Sequence, residues 1–173
     1  MRKLYSGRIF ADHNQFFLLD GNLDYREFLD HWRSDSSKLG YIAINGGIAV
    51  ITVGGFWVHW IEVYFSEIPP FLEDCERALV LNLNIHTEKF SITTPACCDE
   101  VYISVSPGHY AVHILAYNLG KESEEELSDE ELERRMDLER YKIVLVPGKT
   151  TIEGVIKGSK YLPNCIEYGD QNV

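Results

Sequence analysis

Hydrophobic and polar residues alternate with period two over most of the chain, and that spacing predicts strands. The clearest case spans residues 101–117. Val101, Ile103 and Val105 alternate with Tyr102, Ser104 and Ser106; Tyr110, Val112, Ile114 and Ala116 alternate with His109, Ala111, His113 and Leu115. Between the two runs, Pro107-Gly108 supplies the fixed φ and the tolerance of positive φ that a tight turn uses. The expectation is a central hairpin of a β-sandwich. The same reading gives strands over 4–10 and 14–19, parted by Ala11-Asp12-His13. Asn45-Gly46 then joins runs 41–44 and 48–53, the strongest short-range hairpin signal in the chain. Gly54-Gly55 opens a turn into an abutting hairpin, whose strand 56–65 is apolar on both faces except at His59 and Glu62 and so belongs in the middle of a sheet. Leu79, Leu81, Leu83 and Ile85 alternate with Val80, Asn82, Asn84 and His86, and a turn near Thr87 leads into 89–93. Runs 141–146 and 151–156, turned by Pro147-Gly148, complete an all-β fold, a mainly antiparallel β-sandwich.

The period changes twice. Tyr25, Phe28, Leu29 and Trp32 fall at i, i+3, i+4 and i+7 with Arg26, Glu27, Asp30 and Arg33 opposite, predicting a short amphipathic helix over 24–33 capped by Asn22 or Asp24. Ser128-Asp129-Glu130-Glu131 is a capping-box pattern, predicting a helix over 128–140. Its apolar stripe, Leu127, Leu132 and Met136, is thin, so light packing is expected. The pattern divides the chain into a β-sandwich domain over 1–156, with an acidic helical insertion at 121–140, and a C-terminal tail over 157–173. Pro69-Pro70 and the charged Glu73, Asp74, Glu76 and Arg77 form a connection long enough to cross between sheets.

Composition adds charge to this picture. A chain of 173 residues builds one well-buried core. The formal charge is −11, and segment 121–140, with ten acids and four bases, carries −6 of it. Such a balance opposes non-specific binding to nucleic acid or anionic lipid and suits a basic partner. Cys75, Cys97, Cys98 and Cys165 show no C-x-x-C spacing, so reduced thiols are expected. No export signal follows Met1, which makes a cytoplasmic location the expectation. The run 39–61 lacks Asp, Glu, Lys and Arg, but Gly40, Gly46, Gly47, Gly54 and Gly55 cut it into strand-length pieces rather than a membrane span.

Candidate chemistry is sparse. His109 and His113 would lie about 13 Å apart along one strand face, too far to share an ion. Asp12-His13-Asn14 is a polar cluster at a turn in which His13 lacks a nucleophile at any recognisable spacing. The tryptophans of Trp57-Val58-His59-Trp60 point to opposite faces of a strand, so at most one could stack on a ligand. The glycine pairs lack the ending of a phosphate loop. No enzyme activity, cofactor or metal is expected.

Several features in one order resemble the competence-protein J family. They are His13-Asn14-Gln15-Phe16, Trp32 with Gly40-Tyr41 eight residues on, Ala43 with Asn45-Gly46-Gly47-Ile48, the 83–92 hairpin, and Val105-x-Pro107-Gly108-x-Tyr110. The resemblance spans 10–117; the acidic insertion, the final strands and the tail depart from it. It implies a small all-β protein without catalytic activity that binds and neutralises a nuclease, as the inhibitor of the bacterial DNA-entry nuclease does. The expected partner is a basic nuclease or toxin, with no direct nucleic-acid binding, no membrane and an open oligomeric state. Candidate partner-binding residues are Glu124, Glu125, Glu126, Glu130 and Glu131 of the acidic run, or Asp12 and His13 at the first turn. The alternative is a β-sandwich module binding a small ligand or carbohydrate through an aromatic face.

Overall fold

The computed structural model describes residues 1–159 except 22, 33–38, 54–57, 73, 96–99 and 124, with Asp12 described by its backbone alone. Eleven strands among these residues form two packed sheets. They are β1 (Arg2–Phe10), β2 (Gln15–Asp20), β3 (Tyr41–Ile44), β4 (Gly47–Ile51), β5 (Val58–Phe65), β6 (Arg77–Ile85), β7 (Lys89–Thr93), β8 (Val101–Ser104), β9 (Gly108–Tyr117), β10 (Arg140–Pro147) and β11 (Gly154–Lys157). The larger sheet runs β1-β5-β10-β9-β6-β11 and the smaller β3-β4-β2-β7-β8. The all-β, mainly antiparallel sandwich is therefore as expected; β10 against β5 is a parallel pair.

Period-two alternation sets the faces. Ile61 and Val63 of β5, Leu79, Leu81, Leu83 and Ile85 of β6, Val112 and Ile114 of β9, and Ile143 and Leu145 of β10 point inward. They meet Phe16 and Leu18 of β2, Ile48 and Val50 of β4, and Phe90 and Ile92 of β7 in one core. The helix expected over 24–33 is a 3₁₀ helix, Tyr25–His31, whose cap is Asp24, its carboxylate accepting the Arg26 amide. Phe28, with Leu23, Tyr25 and Trp32, covers the outer face of the smaller sheet at Phe17, Leu19 and Ala49.

Several expected hairpins are corners between sheets. The 101–117 pair is split: β8 bonds to β7 in the smaller sheet and β9 to β6 and β10 in the larger, so Pro107-Gly108 turns the chain across the sandwich. The 83–92 segment is likewise no hairpin, since β6 and β7 lie in different sheets, as do β4 and β5 on either side of Gly54-Gly55. Conversely, the connection through Pro69-Pro70 does not cross between sheets. It joins β5 to β6, parallel strands of the larger sheet, and lays Leu72 and Cys75 on that sheet's outer face against Leu115 and Tyr117. The physical reason is shared: alternation reports which way side chains point, while pairing depends on contacts far apart in sequence. The Asn45-Gly46 hairpin does form, joining β3 to β4, with Gly46 at φ +80°. The last run pairs over Gly154–Lys157 with β6, and 160–173 of the expected tail lies outside the described residues. Among the described residues no helix is long and apolar enough to cross a membrane.

Candidate functional site

The acidic segment is the loop of a long hairpin. β9 and β10 are neighbouring antiparallel strands with Tyr117 opposite Arg140, and the chain between them rises from one end of the sandwich. Its helix, α1 (Asp129–Arg134), is shorter than the 128–140 expected: it ends at Arg135, whose ψ of 78° leaves the helical range, and 140 belongs to β10. The capping box is present: Ser128 Oγ accepts the Glu131 amide at 3.3 Å and Glu131 Oε2 accepts the Ser128 amide at 2.9 Å. The Ser128 hydroxyl, which donates to Glu131 Oε2 at 2.7 Å, and then the Ser128 amide hold the exposed Glu131 carboxyl below its ordinary range. The stripe packs more firmly than expected at one position: Leu132 is buried with Leu138 against Trp60 on the outer face of β5, Leu127 is half-buried, and Met136 is 67% exposed. Trp60, weighed as a stacking platform, is thus covered by the excursion; Trp57 lies outside the described residues. Arg8 Nε pairs with Asp129 at 3.0 Å and ties α1 to the edge strand β1.

The first turn lies at the same end. Asp12–Asn14 forms a 3₁₀ turn whose His13 and Asn14 have φ of 56° and 58°, a left-handed backbone that Asn tolerates better than His. The Thr52 amide donates to the Asn14 carbonyl at 2.8 Å, and the next amide, Val53, donates to Glu139 Oε1 at 3.1 Å. Glu139 Oε2 accepts the Gly120 amide at 2.7 Å, and the Tyr141 hydroxyl donates to Oε1. Glu139 is only 2% exposed. Hydrogen bonds therefore run from the Asp12–Asn14 turn through 52–53 to both stems of the excursion.

Of the expected partner-binding residues, Glu125, Glu126, Glu130 and Glu131 are exposed on the excursion and His13 is exposed on the turn. Glu124 and the side chain of Asp12 lie outside the described residues. Glu139 was missed by sequence reasoning because it is one acid among ten in the run. A signal was nonetheless present, since Glu139, Tyr141, Ile143 and Leu145 share one parity and so share the inward face.

Beneath this end lie further buried polar groups. His59 is 1% exposed, and burial lowers its pKa against the opposing pull of the Glu139 and Glu122 carboxylates. Its ring meets Tyr141 edge-on at 5.8 Å, and burial followed by the Glu139 charge raises the Tyr141 phenol. Buried Arg77 donates to the Leu39 carbonyl, with its guanidinium where a Cβ on Gly40 would stand. His109 and His113 both face outward from β9, the first exposed and the second buried, and no group of three metal-ligating side chains occurs among the described residues. Cys75 is a buried free thiol raised above its ordinary value by burial; the other three cysteines lie outside the described residues.

Elsewhere, a cleft of about 470 Å³ opens beside β3, lined by residues that include His31, Tyr41, Leu81 and Glu153. Among the described residues its rings are the Tyr41 phenol and the His31 imidazole.

No curated protein matches the chain. Among solved structures it is similar to ComJ from Bacillus subtilis, described as an inhibitor of the DNA-degrading activity of NucA, with a TM-score of 0.60 at 12% identity over 85% of this chain and 98% of that one. It is also similar to a protein described as crocagin biosynthetic gene J, with a TM-score of 0.52 at 14% identity over 86% of this chain and 100% of that one. At those identities the likeness establishes the fold. Residues 8–139, which run from β1 through the acidic excursion to Glu139, match the family described as competence protein J. That span is most of the chain, and the chain belongs to the competence protein J family.

Proposed function

We propose that this protein is a nuclease inhibitor that acts by binding rather than by catalysis, and that its binding surface is the end of the sandwich formed by the excursion and the Asp12–Asn14 turn. Family membership supports the inhibitor reading, because the similar Bacillus subtilis protein inhibits a DNA-degrading nuclease. The observation that carries the choice of surface is the hydrogen-bonded path from Asn14 through Thr52 and Val53 to Glu139 and Gly120. It makes two segments more than a hundred residues apart in sequence into one surface.

Electrostatics fit that surface to a basic partner. Exposed Glu125, Glu126, Glu130 and Glu133 present carboxylates where the DNA-binding groove of a nuclease expects phosphates. Long-range attraction speeds encounter at low salt, while dehydrated contacts at the interface centre set the dissociation rate.

The test starts with capture on the immobilised chain. Proteins from the producing cell are eluted and assayed for DNA degradation, then assayed again with the soluble chain added back. A captured nuclease that stoichiometric chain silences supports the proposal. Retained nuclease activity that the chain does not reduce, or no retained nuclease at all, overturns it.

A further inference from the structure

We infer that Glu139 is a positioning residue: its buried carboxylate fastens both stems of the acidic excursion to the sandwich and preorganises the excursion as a rigid surface. For its bearing on nuclease binding the inference rests on the proposal above.

A carboxylate this deeply buried is stable only when donors meet its oxygens. Among the described residues, donors to it come from Val53, Gly120 and Tyr141, in three segments. Val53, just past β4, belongs to the smaller sheet's side; Gly120 opens the excursion; Tyr141 lies in β10 of the larger sheet. Gly120 and Val53 lie outside the strands, so without Glu139 their amides lose these bonds.

The rest of the stem is drawn tight around the same residue. The Glu139 amide donates to the Lys121 carbonyl at 2.8 Å, closing the base of the loop. Asn118 Nδ2 donates to the Met136 carbonyl at 2.6 Å and the Leu138 carbonyl at 3.2 Å. Asn118 accordingly adopts φ 52°, a left-handed conformation that turns the chain out of β9. Farther out, Leu132 on Trp60 and Arg8 on Asp129 restrain the helix. A long loop left free would have to be ordered at the moment of binding; one already fastened does not.

Amide hydrogen exchange reads the inference directly. In the unaltered protein the Gly120 and Val53 amides should exchange slowly, although Gly120 is an exposed residue. In Glu139→Gln, one acceptor oxygen becomes a donor facing other donors. Exchange across 118–138 should accelerate about tenfold or more while β6 and β9 keep their protection. Fast exchange of Gly120 and Val53 in the unaltered protein overturns the inference, and this measurement stands even if Glu139→Gln fails to fold. Unchanged exchange of the excursion in Glu139→Gln overturns it too. So does acceleration throughout both sheets, which would make Glu139 a residue of the general core. Leu132→Ala serves as the control: if it alone frees the excursion, the helix packing is the anchor and the inference fails. Inhibition of the captured nuclease is then measured with Glu139→Gln. A loosened excursion with inhibition weakened several-fold supports both readings. A loosened excursion with undiminished inhibition leaves the anchoring role standing and removes the excursion from the proposed interface.

Discussion

Asp20 and Glu139 are both buried carboxylates, they stand at opposite ends of the sandwich, and they stabilise different things. Asp20, 6% exposed at the end of β2, accepts the His86 amide at 3.0 Å, the Thr87 amide at 3.2 Å and the Thr87 hydroxyl at 2.7 Å, and faces His86 Nδ1 at 3.0 Å. It ties the smaller sheet to the corner where the chain passes from β6 to β7, and so holds the two sheets together. Burial alone would raise its pKa, but the hydrogen bonds from Thr87 and His86 outweigh that and hold it low. Glu139 receives comparable donors, two of them loop amides, and what it holds is an excursion whose buried leucines pack on Trp60 outside the main core. The same chemistry, one buried carboxylate collecting loose donors, serves the fold at one end and the presented surface at the other.

The largest effect should come from breaking the Asp20 end. Asp20→Ala leaves the His86 and Thr87 amides without their acceptor and should lower unfolding stability by about 3 kcal/mol, measured in urea. It should leave nuclease inhibition unchanged wherever the protein remains folded. A loss of inhibition by folded Asp20→Ala would erase the distinction between the ends.

Replacing 122–137 by a short Gly/Ser turn should do the reverse. β9 and β10 remain adjacent antiparallel strands, and the cost is the cover over Trp60, roughly 1–2 kcal/mol. Inhibition should be lost. A variant that cannot fold would show that Leu132 and Leu138 belong to the indispensable core.

A smaller effect distinguishes the ends by pH. His59 near Glu139 has a pKa below the ordinary 6.5 because of burial, so below that value the unfolded chain binds more protons and stability falls as pH falls. His113, also lowered by burial, adds to the same slope. Asp20 acts in the other window: its depressed carboxyl contributes stability above its ordinary 3.8, and this is lost as pH falls through the acid range. Thermal unfolding of His59→Phe between pH 7 and 5 should show a shallower slope than the unaltered protein. An unaltered slope would mean that His59 is not the group being titrated.

How legible these two ends were in the sequence follows from the kind of signal each left. Strand runs, the Asn45-Gly46 hairpin, the Asp24 cap and the Ser128 capping box were all readable, because each is written within a few neighbouring residues. Sheet membership was not. His86-Thr87 and Pro107-Gly108 look like hairpin turns, and what makes them corners is their partners: Asp20, 66 residues before His86, and β10, which takes the place beside β9 that β8 would have filled. The exposed members of the candidate surface, from His13 to Glu131, were legible as polar clusters. Glu139 was hidden inside the charge run, since its donors Val53 and Gly120 carry no side-chain signature.

The smallest expected effect concerns the outer restraint on α1. Arg8 and Asp129 pair at 3.0 Å with both side chains exposed, so Arg8→Ala should change stability by no more than about 0.5 kcal/mol. A larger loss would place part of the anchoring on β1 instead of Glu139.

The central claim, that the excursion faces the nuclease, is tested most directly by the salt dependence of association. Glu125, Glu126 and Glu130 are exposed and are reversed together to Lys, sparing the capping residue Glu131 and the anchor Glu139. Stopped-flow association with the captured nuclease is then followed across ionic strength. The account predicts a slower rate at low salt, about tenfold or more, with a flattened salt dependence and little change in stability. An association rate and salt slope equal to those of the unaltered protein, with full inhibition, would contradict it.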